Sequence, residues 1–383
     1  MNTPELLRIL VGFDTTSHRS NLDLIRWVAA YLEDHGVEAR LIPSDDGAKA
    51  NLLATIGPAV AGGIVLSGHT DVVPVDGQAW DSDPFALVER EGRFHGRGAA
   101  DMKGFIAACL AAVPSWRRLD LRRPIHLALS YDEEIGCFGV PRLIADMRAN
   151  VPPPALAIIG EPTQMRVGLA HRGVFCHRVT FCGVPAHSSN PALGVSAIEP
   201  AALLIARLAS FGRTLIAQGN RTTLNVGSIR GGTAINIVPG CCEVQWEFRP
   251  PDEASAAAVK GELGRLLADV SPDVAVELTQ LAEIPALSAE DGGLAARVAR
   301  NLGALWPPGD IPFGTEAGFF QQAGIPSLVC GPGAIAQAHQ PNEWIAASEL
   351  DAADLFMAGV GAWAREAPPA LERLRSDDSR KPG

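Results

Sequence analysis

Three features are missing from this 383-residue sequence. No apolar run approaches the roughly 18 to 20 residues that a membrane-spanning helix needs, so no transmembrane segment is expected. Residues 1–5 contain no basic segment followed by an apolar one, which predicts a protein without a secretory signal. An excess of positive charge is also missing, because the formal net charge is −11 and nucleic-acid binding needs a basic surface. We therefore expect neither a membrane nor a nucleic acid as a partner.

Paired cysteine motifs are absent as well, although the chain has seven cysteines. The count is odd, no Cys-x-x-Cys pair occurs, and several cysteines lie in apolar segments where small buried thiols are common. This pattern predicts free thiols in a reducing cytoplasm. A hydrophobic content of 47% against 20% charged residues is typical of a folded globular core and excludes general disorder.

Two domains are predicted from the order of the elements. Strands and helices alternate through residues 1–173 and again through 283–365, which is typical of an α/β domain with a mixed central sheet flanked by helices. Between them, residues 174–282 predict the order βαββαβ, a ferredoxin-like antiparallel sheet backed by two helices. The elements of this insertion are expected at 174–184, 197–211, 222–229, 243–248, 252–270 and 274–281. Residues 366–383 mix proline, serine and charges without apolar periodicity, which predicts a loose C-terminal tail.

Side chains that can bind a metal follow several short apolar runs, each of which predicts a buried strand. These side chains are His69, the pair Glu133-Glu134, Glu161, and His339 in a Gly/Pro-rich loop. In such sheets ligands collect where the carboxyl ends of the strands meet the loops, so a single rim is expected to hold them. Two histidines and several carboxylates fit Zn²⁺ or a similar divalent ion, and Asp101 could bridge two such ions. The sequence therefore predicts a metal site built for hydrolysis.

His69 and Asp101 have simpler interpretations too. A lone histidine after a strand is more often structural. Asp71, however, lies two residues from His69 in an extended segment, where its carboxylate can accept a hydrogen bond from the other ring N–H of a metal-bound histidine. Asp101 could instead be the N-cap of a helix over residues 104–113, although a cap does not need the glycines that surround it. Both interpretations of Asp101 can hold together.

The glutamates have alternatives as well. Adjacent acids such as Glu133 and Glu134 are usually a solvated turn, and Glu161 could be an ordinary turn residue before a proline. The flanks of the Glu133-Glu134 pair are apolar, however, and buried carboxylates repel one another unless a cation neutralises them. With a metal present, one of the pair can be a ligand while its neighbour acts as a base toward water.

Together these segments resemble a known family of metal-dependent amidohydrolases and peptidases, that of the acetylornithine deacetylases, succinyl-diaminopimelate desuccinylases and aminoacylases. The match covers nearly the whole chain up to about residue 350, with the segments in the family's order. The segments are Ser67-Gly68-His69-Thr70-Asp71, Gly96-Arg97-Gly98 with Asp101-Met102-Lys103-Gly104, Asp132-Glu133-Glu134, and Gly160-Glu161-Pro162-Thr163. Among the subfamilies, Gly314-Thr315-Glu316-Ala317 and residues 331–343 look most like acetylornithine deacetylases.

The resemblance implies a centre of one or two Zn²⁺ ions per subunit, with Co²⁺ as an alternative. It assigns His69, Asp101 and Glu161 to one ion. It then makes Asp101 a bridge to a second ion held by Glu134 and His339. Glu133 is implied as general base and acid, and Asp71 as the carboxylate that orients the site.

The resemblance also implies that the insertion is a lid that pairs with its twin in a homodimer. His187, in Gly183-Val184-Pro185-Ala186-His187-Ser188, would steady the oxyanion, commonly from the partner subunit. Asn236 and Arg249 resemble residues that grip the α-carboxylate of the substrate, a task that suits a guanidinium, and Thr315 is a third expected substrate contact. The alternatives are a surface-loop histidine for His187 and an ordinary surface cation for Arg249.

These implications predict a cytoplasmic enzyme that hydrolyses a small-molecule N-acyl amino acid. The expected substrate is Nα-acetyl-L-ornithine, which gives acetate and L-ornithine in arginine biosynthesis. The alternatives within the family are a succinyl-diaminopimelate desuccinylase, a broader aminoacylase or a small carboxypeptidase. From other classes, a catalytically silent binding protein would lack ligands, and a structural metal protein would lack a free base such as Glu133.

Overall fold

The computed structural model describes residues 1–367, except for the side chain of Asp310. The chain divides into two compact units. The first unit comprises residues 1–170, 289–311 and 315 onward, and the second unit comprises residues 171–288 and 312–314. The insertion was predicted at 174–282. The predicted tail begins at Glu366, and all of it beyond Ala367 lies outside the described residues.

The regular helices of the described chain are numbered in chain order. They are α1 Thr3–Val11, α2 Leu22–Asp34, α3 Gly104–Trp116, α4 Val140–Asn150, α5 Ile198–Ala217, α6 Glu253–Ala268, α7 Leu294–Asn301, α8 Ala317–Gln322 and α9 Ala347–Ala364. Two short helical segments, Ala99–Lys103 and Pro191–Leu193, accompany them. Of the nine regular helices, only α5 and α6 belong to the second unit.

The strands are numbered in the same way. They are β1 Ala39–Pro43, β2 Ala50–Ile56, β3 Ile64–His69, β4 Val88–Arg90, β5 Arg93–His95, β6 Ile125–Ser130, β7 Leu156–Ile159, β8 Arg166–His171, β9 Val174–Cys182, β10 Ala186–His187, β11 Thr223–Gly231, β12 Ile237–Val238, β13 Cys241–Arg249, β14 Ala275–Ile284, β15 Leu287–Ser288, β16 Leu305–Asp310, β17 Ser327–Val329 and β18 Trp344–Ala346. Strands β9 to β15 come from the second unit, whereas the others, apart from His171 at the end of β8, come from the first.

The first unit is built on a mixed sheet with the strand order β1-β2-β6-β3-β7-β17-β8, and β16 pairs with β8. Strand β3 runs parallel to both β6 and β7, and β7 runs parallel to β17. Every residue of β3, β6 and β7 is buried, which explains their nearly continuous apolar sequences. The predicted α/β class is confirmed, and the parallel centre brings the carboxyl ends of these three strands to one edge.

The second unit is an antiparallel sheet with the order β11-β13-β9-β14. Helices α5 and α6 pack on it around a core that includes Phe175, Val179, Leu204, Trp246 and Val259. The connection order β9-α5-β11-β13-α6-β14 is the predicted βαββαβ. A separate two-stranded ribbon, β10 with β12, begins beyond the Cys182 end of β9. The predicted fold class of this insertion is therefore confirmed.

Helix α5 differs from the sequence prediction. It was expected to end at residue 211 but continues to Ala217, and by length and composition it is apolar enough to cross a membrane. The expectation that no apolar stretch has that length is therefore wrong for this segment. Four buried residues, Ala201, Leu204, Leu208 and Leu215, form the face that packs in the second unit, and 22% of the most apolar window is buried. The pattern is that of an amphipathic helix whose outer face is also partly apolar.

The cysteines agree with the sequence prediction. All seven lie within the described residues and carry free thiols. Four of them are buried, namely Cys109, Cys137, Cys242 and Cys330.

Candidate metal centre

Three strand ends in the first unit deliver the predicted ligands to one edge of the sheet. His69 is the last residue of β3 and lies opposite Ser130, the last residue of β6. The pair Glu133-Glu134 follows β6, and Glu161 follows the end of β7 by two residues. Since β3 is parallel to both neighbours, all of these side chains emerge on the same side, as the sequence pattern predicted.

One cluster of ligand atoms surrounds the Nε2 atom of His69. The Oδ1 atom of Asp101 lies 3.0 Å from it and the Oε2 atom of Glu161 lies 3.9 Å from it. The His69 ring is 1% exposed. Ligands at about 2.0–2.1 Å from a tetrahedral zinc ion are themselves roughly 3.3 Å apart. The spacing therefore suits a shared divalent ion.

A second cluster surrounds the Nε2 atom of His339. It lies 3.0 Å from Oε2 of Glu134 and 3.4 Å from Oδ2 of Asp101. Asp101 thus presents one carboxylate oxygen to each histidine, which is the arrangement that a ligand bridging two ions requires. His339 is half exposed, so this side of the centre is open to solvent.

Glu133 lies near the same atoms. Two sets of side chains have ligand atoms within 4.8 Å of one another, namely His69 with Glu133 and Glu161, and His69 with Asp101 and Glu134. Distance alone would therefore allow Glu133 as a ligand too. Its assignment as a base rests on the family resemblance and on the fact that two histidines and three other carboxylates already surround both positions.

Asp101 does not cap helix α3. The helix begins at Gly104, its N-cap residue is Lys103, and no side chain accepts a hydrogen bond at that end. The Asp101 carboxylate instead faces His69 and His339, and the Asp101–Met102 peptide bond is cis. The N-cap interpretation is therefore wrong.

Asp71 holds the loop that carries the two glutamates. Its carboxylate accepts the backbone N–H of Glu133 at 3.1 Å, the N–H of Glu134 at 3.3 Å, and the hydroxyl of Ser17 at 2.8 Å. The Nδ1 atom of His69 lies 2.9 Å from the Asp71 carbonyl oxygen and 3.6 Å from its carboxylate. The closer acceptor for the His69 ring is therefore the main chain, and the carboxylate acts mainly on the glutamate loop.

The carboxylates of the centre repel one another. Burial raises the pKa of Glu133 and Glu161 well above the usual value, and neighbouring carboxylates raise both further. Burial, followed by the charge of Asp101, raises the pKa of Glu134 to about 7. The Oε1 atom of Glu161 is buried without a hydrogen-bond partner. A buried orphaned oxygen among mutually repelling acids fits a divalent cation with nitrogen and oxygen ligands.

Metal binding by the metal-free protein is expected to release protons at pH 7. Hydrogen bonds to Asp101 and Glu134 raise the pKa of His339 to about 10, so its imidazole is protonated at pH 7 and must lose that proton to become a ligand. Titration calorimetry with Zn²⁺ in buffers of different ionisation enthalpy measures the release. The His339→Asn variant should release about one proton fewer. An observed enthalpy that is independent of the buffer would contradict this charge state.

The predicted substrate residues of the second unit lie at two places within it. His187, on β10, is exposed, and the main chain of the next residue, Ser188, donates to the Asn236 carbonyl at 3.0 Å. The Nδ1 atom of His187 accepts the N–H of Ser189 at 3.1 Å, which leaves Nε2 as the proton-bearing nitrogen of the neutral ring. Arg249 ends β13 and pairs with Glu247 at 3.2 Å. His187 and Asn236 are therefore neighbours, whereas Arg249 belongs to the opposite end of β13.

Thr315 and two residues without a predicted role complete the site region. Thr315 is fully buried, and its hydroxyl oxygen accepts the N–H of Ala317 at the start of α8. Glu316, also buried, accepts a hydrogen bond at 3.2 Å from Ser67 of β3, the strand that ends at His69. Burial raises the pKa of Glu316 to about 7. Glu316 lies in a motif that the sequence did single out. Ser17, which donates to Asp71, gave no signal in the sequence.

The family comparison matches the sequence model described as "Peptidase family M20/M25/M40" over residues 65–361. An acetylornithine deacetylase from Klebsiella pneumoniae (strain 342) is 37% identical over 361 residues, which cover 89% of this chain and 92% of the relative. An acetylornithine deacetylase from Aliivibrio salmonicida is 35% identical over 349 residues, which cover 88% of this chain and 90% of that protein. The family resemblance of the sequence motifs is confirmed.

Solved structures show the same fold. The crystal structure of an M20 family metallo-carboxypeptidase from Sulfolobus solfataricus aligns with a TM-score of 0.74 at 18% identity, over 95% of this chain and 99% of that chain. A Bacillus subtilis protein described as a dinuclear metal-binding peptidase from the M20 family aligns with a TM-score of 0.68 at 16% identity, over 95% and 98% of the two chains. At these identities the likeness concerns the fold alone.

Proposed function

Because the chain belongs to peptidase family M20/M25/M40, we propose that it is a metal-dependent hydrolase that converts Nα-acetyl-L-ornithine to acetate and L-ornithine. The observation that carries the hydrolase proposal is Asp101, which presents one oxygen to His69 and the other to His339 beside the acid Glu133. The choice of substrate is supported by two acetylornithine deacetylases that match about nine-tenths of the chain at 35% and 37% identity.

The residues of the first unit have distinct tasks in this reaction. Bound divalent ions would polarise the acyl carbonyl and lower the pKa of water, and the nitrogen and oxygen ligands suit Zn²⁺, with Co²⁺ as an alternative. The raised pKa of Glu133 favours a carboxylate that takes a proton from the attacking water and returns it to the leaving amine nitrogen. Asp71 holds Glu133 by its backbone N–H, which fixes the direction of that transfer.

The second unit supplies the substrate contacts in this proposal. The Nε2–H of His187 donates to the acyl oxygen as negative charge develops on it. Arg249 and Asn236 bind the α-carboxylate, since a guanidinium and an amide both offer N–H donors to it. Thr315 is the third contact, from the first unit.

The second unit is also proposed as the lid through which a homodimer forms. Strands β11 and β14 are the edges of its sheet, and exposed sheet edges are ready sites for pairing with another chain. Large apolar side chains are exposed on the same unit, including Leu203 and Ile216 on α5, Ile229 on β11 and Leu278 on β14. Apolar side chains of this kind mark an interface where they form a contiguous patch. We assign the enzyme to the cytoplasm and to arginine biosynthesis.

A substrate panel tests the proposed specificity. Protein reconstituted with Zn²⁺ or Co²⁺ is assayed with Nα-acetyl-L-ornithine, other N-acetyl amino acids, N-succinyl-L,L-diaminopimelate and dipeptides. We expect the highest kcat/KM for Nα-acetyl-L-ornithine and negligible turnover after chelation of the metal. A higher kcat/KM for the succinyl or dipeptide substrates would reject the proposed substrate while leaving the hydrolase in place. The absence of turnover with every substrate would reject the hydrolase itself.

A further inference from the structure

Glu343 is a buried carboxylate to which neither the sequence motifs nor the proposed reaction gives a role. It is 1% exposed and lies four residues after His339, just before β18. Its Oε2 atom accepts the backbone N–H of Gly98 at 2.9 Å, and its Oε1 atom accepts the N–H of Ala100 at 2.9 Å and that of Asp101 at 3.1 Å. A single side chain therefore collects the main-chain donors of the segment that ends at Asp101.

The negative charge of Glu343 is balanced by one buried cation. Arg97, also 1% exposed, donates from Nη1 to the Oε2 atom of Glu343 at 2.8 Å. A buried carboxylate is stable when its charge is paired and its oxygens accept hydrogen bonds, and both conditions are met here. The segment from Arg97 to Asp101 is thus held by hydrogen bonds to the buried Glu343 carboxylate, in addition to its own backbone turns.

The same network reaches the main chain of His339. Arg97 donates from Nη2 to the Oε1 atom of Gln78 at 2.5 Å. Gln78 in turn donates from Nε2 to the carbonyl oxygen of His339 at 3.0 Å. Arg97 also donates to the Gln340 carbonyl at 3.4 Å. The hydrogen bonds that begin at Glu343 therefore fix the backbone at Asp101 and at His339, which are the bridging ligand and the histidine of the second cluster.

We propose that Glu343 is a positioning residue that sets the separation of Asp101 and His339 and thereby the affinity of the second metal position. This inference rests on the metal centre of the proposed function. A carboxylate offers acceptors on both oxygens, whereas a glutamine would present an N–H₂ group to donors on one side. Residues that orient ligands typically change metal affinity or activity by about 10–100-fold when they are replaced.

The test compares Glu343→Gln with a matched variant, Glu349→Gln. Glu349 is a half-buried glutamate whose carboxylate accepts the backbone N–H of Gly333 at 3.1 Å and a side-chain hydrogen bond from Gln164, and neither of these residues is a predicted ligand. Zn²⁺ and Co²⁺ affinities are measured by titration of metal-free protein, together with the visible spectrum of the Co²⁺ form and kcat and KM. We expect Glu343→Gln to bind the second equivalent about 10–100-fold more weakly, with a changed Co²⁺ spectrum and a lower kcat at similar KM. Glu349→Gln should match the unmodified protein in every one of these measurements.

The outcomes separate this inference from the proposed function. If the unmodified protein binds two ions and hydrolyses its substrate while folded Glu343→Gln keeps the same second affinity and spectrum, the positioning role is wrong and the hydrolase stands. If the unmodified protein binds no metal, the proposed function is wrong, and the positioning role is rejected with it because it rests on that metal centre. Should Glu343→Gln not fold, Glu343→Asp keeps the charge but withdraws it by one methylene group. That variant should then weaken the second equivalent by a smaller factor, and unchanged binding would reject the proposal.

Discussion

The Glu133→Gln variant is expected to lose about 10²–10⁴-fold in kcat while keeping its full metal content, since general acid–base groups contribute about that much. The glutamine has nearly the same shape but cannot take the proton of the attacking water. Its main-chain N–H, which donates to Asp71, is unchanged, so the loop should stay in place. Steady-state kinetics and metal analysis of the purified variant measure the two quantities.

The matched control for this variant is Asp132→Asn. Asp132 precedes Glu133, pairs with Lys49, and adopts a backbone φ of 59°, a conformation that asparagine tolerates well. We expect its kcat to remain within about tenfold of the unmodified enzyme. Replacing a residue outside the ligand set typically lowers metal affinity or activity by more than that only when the residue orients a ligand. Turnover by Glu133→Gln comparable to that of the control would remove Glu133 from the mechanism. Loss of metal from Glu133→Gln would instead indicate that Glu133 is a ligand.

The second unit holds its proposed substrate residues too far apart for one site. The ribbon that carries His187, with Asn236 directly before its second strand, begins at the Cys241 end of β13, whereas Arg249 is the last residue of that nine-residue strand. At roughly 3.4 Å per residue the two ends are about 27 Å apart, which is longer than one acylated amino acid. The chain also enters and leaves this unit at the Arg249 end, since β9 starts and β14 finishes there. If both roles hold, two subunits must contribute to each site.

On its own, the His187→Ala variant is therefore expected to have a kcat about 10²–10³-fold lower than that of the unmodified enzyme, as for loss of an oxyanion donor. Mixed with Glu133→Gln under conditions that exchange subunits, it should regain activity. In a two-fold dimer, half of the molecules are mixed and each has one intact site, so about a quarter of the unmodified activity is expected. A mixture that stays as inactive as its components would show that His187 acts within its own subunit or not at all. The Cys182→Ser and Asp132→Asn variants are mixed in the same way. This mixture measures any change in activity that the exchange procedure itself causes.

Much of the centre could be predicted because it follows a local rule. His69, Glu133-Glu134 and Glu161 come directly after apolar runs, and the carboxyl ends of parallel strands meet at one edge of a sheet. The βαββαβ order could be predicted for the same reason, since each element carries its own periodicity. Asp101 was ambiguous because a cap and a ligand have the same local sequence, and only the fold decides between them.

What could not be predicted depends on contacts across the chain. Glu343 meets Gly98 and Ala100 across more than 240 positions, and no local pattern records that encounter. The hydroxyl of Ser17 on Asp71 is another case. The sequence predicts too early an end for α5, because polar residues follow residue 211. The helix continues to Ala217 because Leu215 is buried by packing in the folded unit, which the local sequence does not indicate. Local rules thus predict the candidate ligands and Asp71, but they do not predict Ser17 and Glu343, whose hydrogen bonds are made across the chain.

The place of β17 has a consequence for how the chain folds as it leaves the ribosome. This strand lies between β7 and β8 in the sheet, although about 160 residues of chain separate it from them. The sheet of the first 170 residues therefore keeps a gap until residues 327–329 have been synthesised, and His339 arrives only after that. The second unit is almost continuous in sequence and can be finished earlier, since domains generally fold as units during synthesis. The candidate metal centre is consequently among the last parts of the protein to be completed, and a nascent chain that stalls before β17 would expose an open sheet edge.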